Sequence, residues 1–229
     1  MQADRSDPAA RPARPEAATP PPGRPPRRLT PLAEIPVPRR LWTYWMRDHA
    51  LLRAVLPNAD RVDDTVWRGA HPGRRLLRRL KARGVATVVN LRGGSDSVPN
   101  AVERAICAEL DMPLRFIALN AGRPPRPEAL QQLLALLRDA PRPLFLHCKS
   151  GADRTALAVT LYSHVLRGEP MAEARRAFSW RYGHNRWGKA RVLHRFLDAY
   201  EAAHHETGIG FEDWLATVYD PATLQATAR

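Results

Sequence analysis

The groups most capable of chemistry in this chain lie between residues 146 and 155, in the sequence LHCKSGADRT. Cys148 follows an apolar run and precedes a short polar loop, after which a helical pattern begins. A loop at the start of a helix turns several backbone N–H groups toward one point, where the positive end of the helix dipole favours an anion. The guanidinium of Arg154 is a planar fork that suits two phosphate oxygens. The candidate phosphate-binding residues are therefore Lys149, Ser150, Gly151, Ala152, Asp153 and Arg154.

Cys148 itself is predicted to be a nucleophile. The positive field of such a loop lowers the pKa of a thiol, so Cys148 should be largely thiolate near neutral pH and aimed at phosphorus. The chain has two cysteines, Cys107 and Cys148, and no CxxC pair, which excludes a disulfide framework and a cysteine-rich zinc site. An inert core thiol is not expected in a polar loop, whereas Cys107, in the helical pattern AVERAICAEL, is predicted to be one.

The arrangement His147, Cys148, five residues, Arg154 and Thr155 resembles the signature loop of the cysteine-dependent tyrosine and dual-specificity phosphatases. The segments VWRGAHP, GVATVVNLRGG and SWRYGHNR resemble elements of bacterial members, so the likeness spans roughly residues 40–205 and indicates an atypical dual-specificity-like member. The resemblance implies that Cys148 forms a phosphocysteine and that Arg154, with the loop amides, stabilises the transferring group. It further implies that Thr155 donates to the departing sulfur, that His147 orients the loop, and that no metal or cofactor is required.

The chain departs from that family pattern in the residue that would protonate the leaving group. Many members carry an aspartate after the strand equivalent to LRFIAL, but here that loop reads NAGRPPRPEA and offers Asn120. Asp153 is the leading candidate, as in phosphatases with a Cys-x-x-Gly-x-Asp-Arg-Thr loop, and Asp96 and Asp111 are weaker ones. An equally weighted alternative is that Asp153 caps the helix or pairs with an arginine. A second departure, Ala156 in place of the usual glycine, is expected only to tighten packing.

The elements around the loop alternate between strands and helices. Short β-branched or apolar runs predict strands at residues 65–68, 85–91, 114–119 and 142–148, with helical patterns between them. This alternation is typical of an α/β fold with a central, mainly parallel sheet of four to five strands flanked by helices. Such sheets bind ligands beyond the carboxyl ends of their strands, which places Cys148 at a strand–helix junction suited to a site. The remaining chain, to about residue 220, is predicted to be helical.

Two features bear on the substrate. Lys149 either contacts a second phosphate of the substrate or is a solvated loop lysine. Trp180, Tyr182, His184 and Arg186, in SWRYGHNRWG, either line a pocket or, as we favour, pack into the core. The resemblance implies a phosphomonoester hydrolase, foremost a protein tyrosine or dual-specificity phosphatase. The alternatives are a phosphoinositide or inositol phosphate phosphatase and a catalytically weak, phosphate-binding pseudophosphatase.

Composition sets the domain boundaries. Half of the 22 prolines lie before residue 40, so residues 1–38 are predicted to be a disordered Pro/Arg-rich tail. A helix is predicted over residues 39–56 at the start of a phosphatase-like domain over 39–220, followed by a C-terminal tail over 221–229.

The net charge of +13 raises the question of a nucleic-acid partner. The basic residues are almost all arginines scattered along the chain, which indicates a compositional bias, and we expect no nucleic-acid binding. A basic surface would still attract a phosphorylated protein or a phosphoinositide substrate. There is no signal-peptide pattern and no run of about 18 apolar residues. We therefore expect a cytoplasmic monomer without integral membrane association.

Overall fold

The computed structural model describes residues 59–226, so the predicted tail over 1–38 and the predicted helix over 39–56 lie outside the described residues. The strands are β1 (Asp60–Arg61), β2 (Val66–Gly69), β3 (Thr87–Asn90), β4 (Leu114–Phe116) and β5 (Leu144–His147). The helices are α1 (Arg74–Ala82), α2 (Val98–Glu109), α3 (Pro127–Asp139), α4 (Asp153–Leu161), α5 (Met171–Ala174), α6 (Arg191–Thr207), α7 (Phe211–Thr217) and α8 (Pro221–Ala226). A π-helical turn (Tyr162–Leu166) extends α4, and 3₁₀ turns lie at Arg175–Ala177 and Trp180–Tyr182.

The five strands form one sheet in the order β1-β2-β5-β3-β4. β5 is central and pairs in parallel with β2 on one side and β3 on the other, while β1 alone runs antiparallel. This confirms the predicted α/β architecture with a mainly parallel sheet. β1 was not predicted, because two residues are too few to show a periodic pattern.

Each sheet face is covered by helices, and successive residues of a strand serve opposite faces. Val88 and Phe145 pack with Leu77 and Leu80 of α1 on one face. Their neighbours in the strands, such as Leu146, pack on the other face with a larger cluster that includes α3, α4 and α6. Burial on both faces explains why these strands read as continuous apolar runs in the sequence.

Parallel pairing brings the carboxyl ends of three strands together. His147 at the end of β5 lies opposite Gly69 at the end of β2 and opposite Asn90 at the end of β3. The residues that follow these strands therefore meet at one edge of the sheet, and Cys148 is among them.

The C-terminal helices pack through aromatic side chains. Phe196 on α6 lies 5.5 Å from Trp214 of α7 and 5.0 Å from Tyr219, measured between ring centroids. Leu224 packs against the same cluster. Among the described residues no helix is both long and apolar enough to cross a bilayer.

The C-terminal tail predicted over 221–229 begins with the short helix α8. Asp220 caps this helix: its Oδ1 accepts from the backbone N–H of Ala222 at 2.8 Å and its Oδ2 from the Thr223 hydroxyl at 2.9 Å. An Asp-Pro pair at the N-cap and first helical position is a helix-start signal. The predicted boundary at residue 220 is therefore a helix cap.

The aromatic cluster leads to a stability prediction. Phe196→Ala should lower the free energy of unfolding by about 3 to 5 kcal/mol, because a fully buried ring is lost and a cavity remains. Val218→Ala, at a position 57% exposed in the same region, should change it by less than about 0.5 kcal/mol. Urea unfolding of the two variants measures both values. Equal, small effects would show that the C-terminal helices add little to the stability of the domain.

Candidate active site

The loop between β5 and α4 is shaped by one glycine. Gly151 has φ +79°, and a Cβ atom there would lie 2.7 Å from the carbonyl carbon of Gly69, at the end of β2. Backbone therefore touches backbone, and a side chain at position 151 would be both strained and obstructed. The loop consequently folds back against β2 before entering α4 at Asp153.

Arg68, on β2, holds this loop in place through hydrogen bonds to backbone carbonyls. Its Nη2 donates to the carbonyl of Gly151 at 2.9 Å, its Nη1 donates to the carbonyl of Ala177 at 2.8 Å, and its guanidinium lies 3.7 Å from the ring centroid of Tyr182. The residue is only 3% exposed, and burial lowers the pKa of Arg68, an effect that the negative charge of Cys148 opposes. Sequence reasoning missed Arg68, although a charged residue inside a buried strand is a visible signal.

Cys148 lies buried within the loop. Burial alone would raise the pKa of its thiol, but the charge of Arg154 and hydrogen bonds from the Thr155 hydroxyl and from the backbone N–H groups of Thr155 and Gly151 outweigh it. The net pKa of Cys148 is below its usual value of 9.0. The loop thus stabilises a thiolate, the form that acts as a nucleophile.

Arg154 has an unused donor inside the site. Its Nε is buried and meets no hydrogen-bond acceptor within residues 59–226. Leaving a buried charged donor unpaired is costly, so this atom points to an anionic ligand.

The other residues of the loop occupy different environments. Lys149 is half-buried, and its carbonyl accepts from the backbone N–H of His71 at 3.3 Å. Ser150 is exposed, whereas Ala152 is buried at the N-cap position of α4. All six candidate phosphate-binding residues therefore lie on one continuous turn around Cys148, or at the helix start that follows it.

The buried carboxylate of Glu103, on α2, supports the loop through His147. Nε2 of His147 lies 2.6 Å from Oε1 of Glu103 on α2, and Nδ1 of His147 lies 3.3 Å from the carbonyl oxygen of Cys148. Asn90 donates to Oε2 of Glu103 at 2.6 Å. Burial would raise the pKa of Glu103, but the imidazoles of His147 and His71 and the amide of Asn90 lower it by more. The net pKa of Glu103 is therefore below its usual value. Sequence reasoning missed Glu103, which stands in the apolar stripe of α2 with Ile106 and Cys107.

His71, Glu103 and His147 are residue types that bind metals, and their ligand atoms lie within 4.8 Å of one another. Ligands of one zinc ion lie about 2.0–2.2 Å from the metal and hence about 3 Å or more from each other. The 2.6 Å contact between His147 and Glu103 is shorter than that. The three side chains therefore fit a buried, ion-paired support better than a metal site.

Asp153 takes neither of the structural roles considered for it. It is the first residue of α4, whose N-terminus has no side-chain cap, and its Oδ1 lies 2.7 Å from Nδ1 of His184. Its partner is thus a histidine and not an arginine. The weaker candidates lie elsewhere: Asp96 is exposed in the loop after β3, and Asp111 precedes β4, at the opposite edge of the sheet from Cys148.

The segment SWRYGHNRWG follows no single pattern. Core packing, the favoured prediction, is wrong for Trp180, which is 87% exposed, and for the exposed Arg186. Tyr182 stacks on Arg68 and donates to Asp60 at 2.8 Å, while His184 is almost fully buried against Asp153. Only Tyr182 and His184 of this irregular turn point inward, while residues 180, 181, 183 and 185–187 are exposed, which the sequence alone does not show.

The sequence from residue 56 to 189 matches the family model described as "DSP-PTPase phosphatase fused to NAD+ Kinase". The chain belongs to this family of dual-specificity-type phosphatases. The match includes the whole loop from Cys148 to Thr155, together with Arg68, Glu103 and His184.

Solved structures show the same fold as this phosphatase. TpbA from P. aeruginosa superposes with a TM-score of 0.50 at 23% identity, covering 76% of this chain and 93% of TpbA. A Shewanella putrefaciens CN-32 protein of the DUF442 group gives a TM-score of 0.52 at 18% identity, covering 66% of this chain and 95% of that one. A cysteine-to-serine variant of TpbA in complex with phosphotyrosine matches at 25% identity and a TM-score of 0.47, over 56% of this chain and 76% of that one. No curated protein matched the sequence.

The buried support of the phosphatase loop is testable through Glu103→Gln. Breaking the buried contact with His147 should lower the free energy of unfolding by about 3 kcal/mol at pH 7. Glu109→Gln on the same helix, which breaks a surface pair with Arg74, should have a much smaller effect on the free energy of unfolding.

The pH dependence has a defined sign. Because the folded state lowers the pKa of Glu103, its stabilisation is complete above the usual value of 4.5 and is lost as the pH falls through the folded-state pKa. The difference between wild type and Glu103→Gln should therefore shrink below about pH 4.5 in urea titrations. A difference that grows on acidification would contradict this assignment.

Proposed function

We propose that the chain is a cysteine-dependent phosphomonoester hydrolase that works through a phosphocysteine intermediate. The observation that carries the proposal is the pairing of a stabilised Cys148 thiolate with the buried, unpaired Nε of Arg154 in one loop. A phosphoryl group fits between them, because the loop amides and the guanidinium supply donors for its oxygens.

The proposed reaction has two displacement steps at phosphorus. In the first, the sulfur of Cys148 forms a bond to phosphorus and the bond from phosphorus to the leaving oxygen breaks. In the second, a water oxygen attacks phosphorus, the S–P bond breaks, and the thiolate is restored with inorganic phosphate as product. Arg154 and the loop N–H groups bind the equatorial oxygens in both steps, and the Thr155 hydroxyl stabilises the sulfur when it leaves.

The remaining residues hold this geometry or move protons. His147 and Glu103 support the loop from the core side, and Arg68 ties it to β2. Asp153 is the carboxyl group placed for proton transfer, since it lies on the loop itself and the segment after β4 offers Asn120, whose Oδ1 already accepts from Gly122.

The substrate class that we propose first is a phosphorylated protein, in agreement with the dual-specificity family. One observation favours a phosphoinositide as a second candidate. Trp180 and Trp187 are each 87% exposed, and the chain from residue 175 to 195 carries seven basic residues and no acidic one. Exposed indoles among basic side chains suit the interface of an anionic membrane.

Catalysis by the loop is tested by Cys148→Ser with p-nitrophenyl phosphate as substrate. Turnover should fall at least about 10³-fold, because a serine hydroxyl is not ionised at neutral pH. Cys107→Ala, at the other buried cysteine, is the matched control and should keep its rate. Turnover that survives Cys148→Ser would overturn the mechanism. Phosphate binding by the wild type without turnover would indicate a pseudophosphatase.

The substrate class is tested by comparing a phosphotyrosyl peptide with a phosphoinositide in anionic vesicles. A protein phosphatase should show the higher kcat/KM for the peptide, and Trp180→Ala with Trp187→Ala should leave that value unchanged. A lipid phosphatase should instead turn over the vesicle-bound lipid faster than its short-chain soluble form. The double variant should then remove this gain, since it loses interfacial contacts worth about 1 kcal/mol or more each.

A further inference from the structure

Two histidines extend the site in a direction that the loop chemistry does not explain. Nδ1 of His184 lies 2.7 Å from Oδ1 of Asp153, and Nε2 of His184 lies 2.8 Å from Nε2 of His194 on α6. His184 is nearly buried and packs with His194 around the ring of Phe178. His194 lies beyond residues 56–189, the part that matches the family model. The chain of contacts therefore links the loop to a helix outside the matched region.

Arg175 bears on which nitrogen atoms donate and which accept in the row of contacts from Asp153 through His184 to His194. Its Nη2 lies 3.5 Å from Nδ1 of His194 and 3.4 Å from the carbonyl oxygen of the same residue. The shortest contact of this Nη2 is 2.6 Å to Oδ1 of Asp198, but a cationic guanidinium that only donates hydrogen bonds still disfavours a proton on the neighbouring Nδ1 of His194. The proton of His194 is therefore on Nε2 and is donated to Nε2 of His184. This leaves the proton of His184 on Nδ1, where it is donated to Asp153.

The charges around the two rings support the neutral state of His194. Burial lowers the pKa of His194 to about 4, and the charges of Arg175 and Arg186 contribute in the same direction. Asp198 opposes them, but it also forms a 2.6 Å ion pair with Arg175, which Glu201 contacts as well. At neutral pH His194 thus has one proton, and the direction of the chain is maintained.

We propose that Arg175, His194 and His184 are positioning residues that hold the carboxyl group of Asp153 as an oriented hydrogen-bond acceptor, which prepares it to take a proton from the water that hydrolyses the phosphocysteine. This inference rests on the proposed function. In the hydrolysis step the water oxygen bonds to phosphorus, the S–P bond breaks, and the proton moves from water to Asp153. The side chain of Asp153 is 29% exposed, so the proton then passes to solvent.

The same arrangement has a consequence for the first step. Because the proposal assigns Asp153 to the hydrolysis step, the leaving oxygen of the first step departs with its electron pair and takes a proton from solvent. Such a step is faster for a phenolate than for an alkoxide, because a phenol has a pKa of about 10. The site is therefore suited to aryl phosphates, with phosphotyrosine as the protein substrate, more than to phosphoserine or inositol phosphates.

The tautomers of His184 and His194 can be tested without any measurement of activity. Nitrogen-15 NMR of the full chain, labelled at histidine, distinguishes the two neutral tautomers and the imidazolium. His184→Asn and His194→Gln assign the signals. At pH 7 we expect a proton on Nδ1 of His184 and on Nε2 of His194. The reverse tautomers, or an imidazolium at His184, would overturn the proposal.

The role in the reaction is tested by His184→Phe, with His184→Asn as the matched control. The asparagine amide places an N–H close to the position of Nδ1, whereas phenylalanine keeps the ring and removes the donor. With p-nitrophenyl phosphate, His184→Phe should show a burst of one nitrophenol per enzyme and a kcat lower by about 10²-fold, with kcat/KM nearly unchanged. His184→Asn should show no burst and keep its kcat within about threefold.

The opposite result has its own signature. If His184→Phe lowers kcat/KM selectively for alkyl phosphates and shows no burst, Asp153 acts as an acid in the first step and the proposal is wrong. If His184→Phe does not fold, the tautomers decide the question alone. Failure of the proposed function would appear separately, as unchanged turnover in Cys148→Ser, whatever the tautomers are.

Discussion

The site depends first on a contact between two pieces of backbone. Gly151 lies directly against Gly69, with the guanidinium of Arg68 bound to the carbonyl of Gly151. This contact sets the curvature of the loop, and that curvature directs the N–H groups of Gly151 and Thr155 at the sulfur of Cys148. A thiolate buried in this position would be unstable without those donors, because burial alone raises the pKa of a thiol. The chemistry of the loop therefore follows from the parallel pairing of β2 and β5.

The two buried anions near that contact, Cys148 and Glu103, each have a neighbouring partner. The thiolate of Cys148 interacts with Arg154. On the core side the carboxylate of Glu103 is engaged by His147 and by Asn90. Both of these buried anions thus have an immediate partner, which keeps the cost of removing them from water low.

Asp153 is balanced differently from the other two anions. Its partner is His184, which is itself in contact with His194. The phosphatase loop is thus connected here to a pair of histidines, the second of which lies on α6. Family membership accounts for the loop, and the particular packing of this chain accounts for what holds Asp153.

Local sequence patterns were enough to predict the phosphatase loop and four of the strands. The strand–loop–helix junction from His147 to Thr155 spans nine consecutive residues, and its parts act on one another through local backbone geometry, so the sequence alone indicated both the loop and the sheet edge where it lies. The four parallel strands were predictable for the same reason, since burial on both faces leaves continuous apolar runs. Tertiary structure alone decided the partners of Asp153 and the roles of Arg68 and Glu103. These residues meet the loop from 31 to 83 positions away, as Asp153 with His184 and Arg68 with Gly151 illustrate, or from the opposite helix layer. A buried polar side chain has no fixed spacing to its partner, because packing of whole elements determines which donor reaches which acceptor.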